Sequence, residues 1–170
     1  LTRVAKLLKA LGNPEKRLRI IHVVGTNGKS SISRMISTIL YSQGLKVGTY
    51  LSPHLVAFNE RYLINGREIT GRAFEKLILE VRQKADEVDK RAKSSGPLTQ
   101  FEVLTAAAFL YFKQQKVNVA VVAAGLGGRY DATSAAETRV QVLTNVELEH
   151  TELLRDTIAK ATRTVKRDWC

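Results

Sequence analysis

Val23-Val24-Gly25-Thr26-Asn27-Gly28-Lys29-Ser30-Ser31 is the stretch on which the reading of this chain turns. An apolar run over residues 18–24 leads into it, interrupted only by Arg19 and His22. A helical pattern over residues 31–41 follows. Strand, glycine turn, Lys-Ser pair and helix together make the layout of a phosphate-binding loop. Glycines let the backbone bend tightly, so that several N–H groups face one polyphosphate. The helix N-terminus adds a partial positive charge, Lys29 adds a full one, and a serine hydroxyl can reach a magnesium ion. The loop is shorter than the general Gly-x4-Gly-Lys-Ser/Thr form, with only Thr26 and Asn27 between Gly25 and Gly28. A tight turn that merely carries a lysine would be written the same way, so the flanking chain has to decide.

Upstream, Leu1, Val4, Leu7, Leu8 and Leu11 share one helical face, and Gly12-Asn13-Pro14 ends that helix. Residues 18–24 read as a strand buried on both faces, which suits a parallel sheet; a histidine so placed, His22, is more often a satisfied core residue than a ligand and is left unassigned. Downstream, Ile32, Met35, Ile36, Ile39 and Leu40 form the expected inner face of a helix capped by Gly44. Residues 46–51 read as a second strand, which completes a βαβ unit.

The loop beyond carries Ser52-Pro53-His54-Leu55 and Phe58-Asn59-Glu60-Arg61. Ligands of open α/β sheets sit beyond the C-terminal ends of parallel strands, where this loop falls, although an ordinary polar loop has the same composition. Residues 62–69 read as a hairpin turning at Asn65-Gly66. Thr70 caps a charged helix with Phe74, Leu77, Ile78, Val81, Ala85 and Val88 at helical spacing. Residues 94–97 form a loop, and an apolar helix starts near Thr99. Glu102 in its first turn either compensates the helix dipole or contacts a ligand. Residues 117–124 are a further buried strand, running into Gly125-Leu126-Gly127-Gly128-Arg129-Tyr130-Asp131-Ala132-Thr133. Glycines so placed point to close approach of the backbone to something. Residues 140–146 form the last strand, with Thr144 and Asn145 at its end. Glu147, Glu149 and His150 then make either a divalent-ion site or a polar cap. Asp156 or Thr157 opens a final basic helix.

With 170 residues, 44% hydrophobic and 25% charged, the chain has the make-up of one globular domain. The lone cysteine, Cys170, rules out an internal disulfide and a Cys-rich zinc site, and a reducing cytosol is expected. A mitochondrial form would add a presequence. Residues 117–126, the longest apolar run, are too few to span a bilayer. The net charge of +11 is spread along the chain and aromatic residues make up only 6%. That distribution fits solvated helix faces and attraction for small anions better than nucleic-acid binding. The sequence opens on Leu1 and stops within an element at Arg167-Asp168-Trp169-Cys170, so a piece of a longer chain is expected. The expected fold is a three-layer α/β P-loop domain with a mostly parallel sheet.

Taken in order, Gly-Thr-Asn-Gly-Lys-Ser-Ser (25–31), Ser-Pro-His-Leu (52–55), Phe-Asn-Glu-Arg (58–61), Phe-Glu-x-x-Thr (101–105), Gly-Leu-Gly-Gly-Arg-x-Asp-Ala-Thr (125–133) and Thr-Asn-x-x-x-x-His-Thr (144–151) resemble one family. It is the folylpolyglutamate synthase and dihydrofolate synthase branch of the Mur ligase superfamily, and the resemblance runs over residues 13–165. It implies a central-domain Mur ligase fold, with residues 1–170 as the front part of the ATP-binding domain and the C-terminal ligase domain outside this sequence. It also implies a reaction: ATP phosphorylates a folate or dihydropteroate carboxylate, and the amino group of L-glutamate attacks the acyl phosphate. The implied cofactors are ATP and Mg²⁺, and the implied state is a cytoplasmic monomer without nucleic-acid or membrane partners.

By the same resemblance, Gly25, Thr26, Asn27, Gly28, Lys29, Ser30 and Ser31 hold ATP, and Lys29 and His150 are catalytic. Ser52 and His150 support the metal. Ser52, Pro53, His54, Phe58, Asn59, Arg61, Phe101, Glu102, Arg129 and Asp131 line the substrate. Thr133 belongs to the same glycine-rich motif.

The sequence departs from the family in places. Ala123 stands where a metal-binding glutamate is usual, Glu147 where a glycine is, Glu149 where an aspartate is, and Ser30 where a glycine is. Arg163-Thr164-Val165-Lys166-Arg167-Asp168 replaces a segment whose lysine is carbamylated in the family. These departures keep open a non-catalytic nucleotide-binding remnant; a cell-wall Mur-type amino-acid ligase is a separate alternative, against which Ser52-Pro53-His54 and Phe58-Asn59-Glu60-Arg61 argue. Turnover by the isolated chain is not expected.

Overall fold

The computed structural model describes residues 1–91, 96–126, 128 and 130–147. The expected loop at 94–97 falls partly outside these residues. So do Gly127, Arg129, Glu149, His150, the final basic helix and the altered lysine segment.

Helix α1 spans Thr2–Ala10 and buries Val4, Leu7 and Leu8. Gly12 and Asn13 then take positive φ, which breaks the helix, and a short 3₁₀ turn, Pro14–Arg17, leads to strand β1, Ile20–Val24. The strand is thus shorter than the apolar run that announces it, because the Leu18 amide still closes the 3₁₀ turn on the Glu15 carbonyl at 3.1 Å. Helix α2 spans Lys29–Ser42. Its end is a Schellman turn: the Gly44 amide donates to Tyr41 at 2.9 Å and the Leu45 amide to Leu40 at 3.3 Å, with Gly44 at φ +81°. Strand β2, Val47–Tyr50, follows. Strands β3, Tyr62–Ile64, and β4, Arg67–Glu68, form the expected hairpin, with positive φ at both Asn65 and Gly66. Helix α3 is Gly71–Arg91 and helix α4 is Gln100–Gln114. Strands β5, Val119–Ala123, and β6, Val140–Leu143, complete the sheet.

The strand order is β4-β3-β2-β5-β1-β6. Strands β2, β5, β1 and β6 run parallel, and the β3–β4 hairpin adds an antiparallel edge. Helices cover both faces. Helix α2 packs Ile32, Ile36 and Leu40 on Val23, Val47 and Val121. On the other face α1, α3 and α4 enclose Ile20, Tyr50, Tyr62, Ala120 and Val122. Burial pushes the Tyr50 phenol up to about 12, against smaller opposing effects of Thr105 and Arg61. The three-layer, mostly parallel α/β fold is as the sequence leads one to expect.

The inner face of α2 differs from the expected one. Met35 and Ile39 are 59% and 63% exposed, while Ser33 and Ser37 are buried. Small side chains let the helix settle close to the sheet, and Thr49 Oγ1 donates to Ser37 Oγ at 2.7 Å, which removes the cost of burying that hydroxyl. The seat therefore turns toward the serines, and two apolar residues face outward. Strand β6 ends at Leu143, earlier than the expected residue 146, because the chain then turns across the phosphate loop.

A close approach of sheet and helix also fixes Gly48 in β2. A Cβ there would lie 2.6 Å from the ring of the fully buried Phe112. Gly48→Ala is expected to lower stability by about 1–3 kcal/mol through overpacking, read from chemical denaturation midpoints.

Candidate functional site

The phosphate loop leaves β1 at Val24 and enters α2 at Lys29. Gly25 has φ +136°, and a Cβ on it would collide with Thr144 Oγ1 and stand 2.8 Å from the Asn145 carbonyl. The segment after β6 therefore lies directly on the loop. Asn145 accepts the Thr26 amide on its carbonyl at 3.0 Å and the Asn27 amide on Oδ1 at 2.8 Å. Thr144 Oγ1 donates to the Asn27 carbonyl at 2.6 Å, and the Glu147 amide donates to Thr26 Oγ1 at 3.0 Å. Glu147 takes the side-chain amides of Asn27 and Asn145 on its two oxygens, each at 3.0 Å.

These contacts use up the Thr26 and Asn27 amides in bracing the loop. The amides of Lys29, Ser30 and Ser31 open the first turn of α2, where no helical carbonyl precedes them, and these are the donors suited to an anion. Gly28, with φ +76° and open space around it, directs the chain into that turn. Lys29 Nζ donates to the carbonyls of Gly25 at 2.8 Å and Thr26 at 2.7 Å, so its charge already lies over the loop. Ser30 Oγ donates to the Ser52 carbonyl at 3.3 Å, and Ser52 Oγ donates to the Ala124 carbonyl at 3.4 Å. Ser30 thereby ties the phosphate loop to the loop after β2.

That second loop begins with the cis Ser52–Pro53 bond and closes on a 3₁₀ turn, Phe58–Arg61. Pro53 is exposed. His54, Phe58 and Arg61 come together: Arg61 Nε donates to His54 Nδ1 at 3.0 Å, and the His54 and Phe58 rings are 4.3 Å apart. The Arg61 guanidinium lies 5.8 Å over the Phe58 ring. Asn59 Nδ2 instead reaches Glu68 at 3.3 Å, on the hairpin. Glu60, a polar residue of the same loop, turns its hydrogen bonds inward and accepts the amides of Leu55, Val56 and Ala57 at 2.7–2.8 Å. Those three bonds lower its pKa, the Leu55 amide acting most.

A cleft of about 340 Å³ opens between the start of α1, the start of α4 and the glycine-rich loop. Phe101 and Glu102 line it from α4, Asp131 from the loop, and Arg3 from α1. Phe101 is what Gly125 approaches: a Cβ on Gly125 would stand 2.6 Å from its ring. Glu102 closes a capping box with Thr99. Its carboxylate accepts the Thr99 amide at 2.8 Å, its own amide donates to Thr99 Oγ1 at 3.2 Å, and Arg3 Nε donates to it at 3.3 Å. Of the two roles open to Glu102 in the sequence, the helix end is thus occupied.

Asp131 is turned inward. Its Oδ2 accepts the amides of Gly125 at 3.1 Å and Leu126 at 3.0 Å, and its Oδ1 accepts the Thr133 amide at 3.0 Å and the Thr133 hydroxyl. It shapes the loop that lines the cleft and has no lone pair left for a ligand. Arg3 was missed in the sequence because it lies off the apolar stripe of α1; a basic residue beside Val4 was the only signal.

Among the described residues, no group of three or more His, Cys, Asp or Glu side chains is placed to hold a metal. Ala123, where the family carboxylate would stand, is fully buried beside Leu51 and Leu63. Ser30 and Ser52 bring hydroxyls to this edge, and the Glu147 carboxylate on the phosphate loop already accepts the side-chain amides of Asn27 and Asn145. The described residues do not fit a carboxylate-held metal.

A phosphate loop and a neighbouring cleft at the C-terminal edge of a parallel sheet define a nucleotide-binding α/β domain. Comparison with known proteins narrows the class. The dihydrofolate synthase/folylpolyglutamate synthase of Bacillus subtilis (strain 168) is 38% identical over 159 residues, which is 93% of this chain and 36% of that protein. A solved FPGS–AMPPCP–folate complex superposes with a TM-score of 0.91 at 40% identity, over 96% of this chain and 40% of its own. The structure of E. coli FolC with DHPP and ADP gives a TM-score of 0.87 at 34% identity, over 97% of this chain and 38% of its own. No protein-family model matches the chain. The chain is a homologue of the folylpolyglutamate and dihydrofolate synthases, and spans a little over a third of their length. No helix among the described residues is long and apolar enough to cross a membrane.

Because hydrogen bonds lower the folded-state pKa of Glu60, its contribution is present above the ordinary carboxylate range and is lost as pH falls through the lowered value. Hydrogen-exchange protection of the Leu55, Val56 and Ala57 amides is expected to fall on acidification through that range. In Glu60→Ala it should be lost already at neutral pH.

Proposed function

We propose that this chain is the nucleotide-binding part of an ATP-dependent ligase that joins L-glutamate to a folate or a dihydropteroate. The observation that carries this reading is the pairing, on one sheet edge, of a braced phosphate loop with a cleft faced by Phe101. Kinship with proteins solved with AMPPCP, ADP, folate and DHPP supports it.

The amides of Lys29, Ser30 and Ser31 would take the ATP phosphates. Lys29 would exchange the carbonyls of Gly25 and Thr26 for phosphate oxygens, and its charge would offset the negative charge that grows in the transition state. The flat ring of the pterin would lie in the cleft against Phe101, with the Arg3–Glu102 pair at its side. The cluster of His54, Phe58 and Arg61 would flank the substrate from the loop after β2.

In the reaction, a carboxylate oxygen of the folate attacks the γ-phosphorus of ATP, which yields an acyl phosphate and ADP. The neutral amine of glutamate then attacks the acyl carbon. An amide forms, phosphate leaves, and the amine loses a proton. Mg²⁺ would arrive with the ATP phosphates, since the described residues bring no cluster of carboxylates to it and Glu147 is engaged by Asn27 and Asn145. Residues 1–170 would act as part of the ATP-binding domain of a cytoplasmic, monomeric enzyme whose ligase domain lies elsewhere in a longer chain. The isolated chain would then show no turnover. His150 and Arg129 would complete the site.

Ala123 specifically favours a second reading, a nucleotide-binding remnant without ligase activity. Calorimetry with AMPPCP distinguishes them. Lys29→Ala should weaken binding about 10–100-fold, the size of a charge-assisted hydrogen bond. If Mg²⁺ tightens binding only in Ala123→Glu, the remnant reading stands. If Mg²⁺ tightens binding in the parent chain as well, the ligase reading does.

A further inference from the structure

Three buried side chains link the strand before the phosphate loop to the loop that lines the cleft. His22 in β1 is 1% exposed, Thr133 1% and Asp131 7%. His22 Nε2 is 2.8 Å from Thr133 Oγ1, and that hydroxyl also contacts Asp131 Oδ1. A threonine hydroxyl has one proton, and the Asp131 carboxylate, which also accepts three backbone amides, can only accept. The proton therefore lies between Thr133 and Asp131, and His22 must donate from Nε2. This direction fixes the imidazole with a proton on Nε2, two residues before Val24 and the turn into the phosphate loop.

The far end of the relay does the positioning. Asp131 Oδ2 receives the amides of Gly125 and Leu126, the first two residues after β5. Gly125 lies flat against Phe101, and Leu126, Gly128 and Asp131 line the cleft. Thr133 opens no path to the cleft, since it is buried in the 3₁₀ turn Ala132–Ala135. We propose that His22 and Thr133 are positioning residues for the cleft: they set the orientation of the Asp131 carboxylate, which holds the backbone of Gly125 and Leu126 in the shape that receives the pterin ring. This rests on the reading of the cleft given above, and it assigns His22 and Thr133 a role through the loop rather than contact with substrate.

The relay is a chain of defined donors, so changes that keep or break each donor can be told apart. Thr133→Val removes the hydroxyl and keeps the shape, and Thr133→Ser restores the hydroxyl. His22→Leu removes the donor, and His22→Gln keeps an N–H donor. Two readouts are taken on the purified chain: hydrogen exchange of the Gly125 and Leu126 amides, and calorimetric binding of folate and of AMPPCP.

Thr133→Val and His22→Leu are expected to speed exchange at Gly125 and Leu126 and to weaken folate about 5-fold or more, the size of one net hydrogen bond. AMPPCP affinity should be unchanged, and Thr133→Ser and His22→Gln should return both readouts toward the parent. If exchange at Gly125 and Leu126 is the same in the valine and leucine variants as in the parent, the positioning role is wrong. If Thr133→Ser behaves like Thr133→Val, packing and not the hydroxyl is responsible, and the relay fails. If the parent chain binds no folate, the cleft reading falls, while the exchange data still decide whether the relay holds the loop. Should His22→Leu not fold, His22→Gln against Thr133→Val, with the double variant, still tests the link: independent effects would overturn it.

Discussion

Gly25 has no side chain, and the space where a Cβ would stand is filled by Thr144 and Asn145. The phosphate loop depends on that contact. A short loop with two residues between its glycines has little internal structure of its own, so its conformation is imposed by a strand end that arrives more than a hundred residues later. The amides of Thr26 and Asn27 are spent on Asn145, and anion binding passes to the first turn of α2. The cost of orienting those donors is met when the sheet forms, before any ligand arrives.

The sheet explains why two unrelated loops meet. Strands β1 and β5 are neighbours in parallel, so the loops that leave them emerge at the same edge. One loop turns into α2 on one face, and the other turns toward α1 and α4 on the opposite face. The phosphate loop and the cleft therefore sit on two sides of one strand pair. Ser30, Ser52 and Ala124 bridge the front of this edge, and His22, Thr133 and Asp131 bridge it through the core.

Much of the architecture was legible locally. The Asn65-Gly66 turn, the Thr99 cap, the Gly44 helix end and the break at Gly12 and Asn13 each depend on the φ preferences or donors of a few adjacent residues. The inner face of α2 was not legible in that way. Its apolar residues cover a wide arc, and the helix settled on Ser33 and Ser37 because small side chains allow a closer approach to Thr49 and the sheet. Hydrophobic periodicity cannot register a seat made of serines.

The sequence alone determined the order of elements, the parallel α/β class and the positions of the phosphate and glycine-rich loops, because these rest on periodicity and on glycine and capping chemistry within a few residues. Only the tertiary structure decided what the polar residues do there. Glu102 could face a helix end or a ligand, and it meets Thr99 and Arg3. Asp131 read as a substrate contact, yet it faces four donors of its own loop. His22 had no assigned role in the sequence, and in the fold it is a buried core histidine bonded to Thr133. A side chain's role depends on which donors lie within about 3 Å of it, and those donors come from elements far apart in the chain that only the folded sheet brings together.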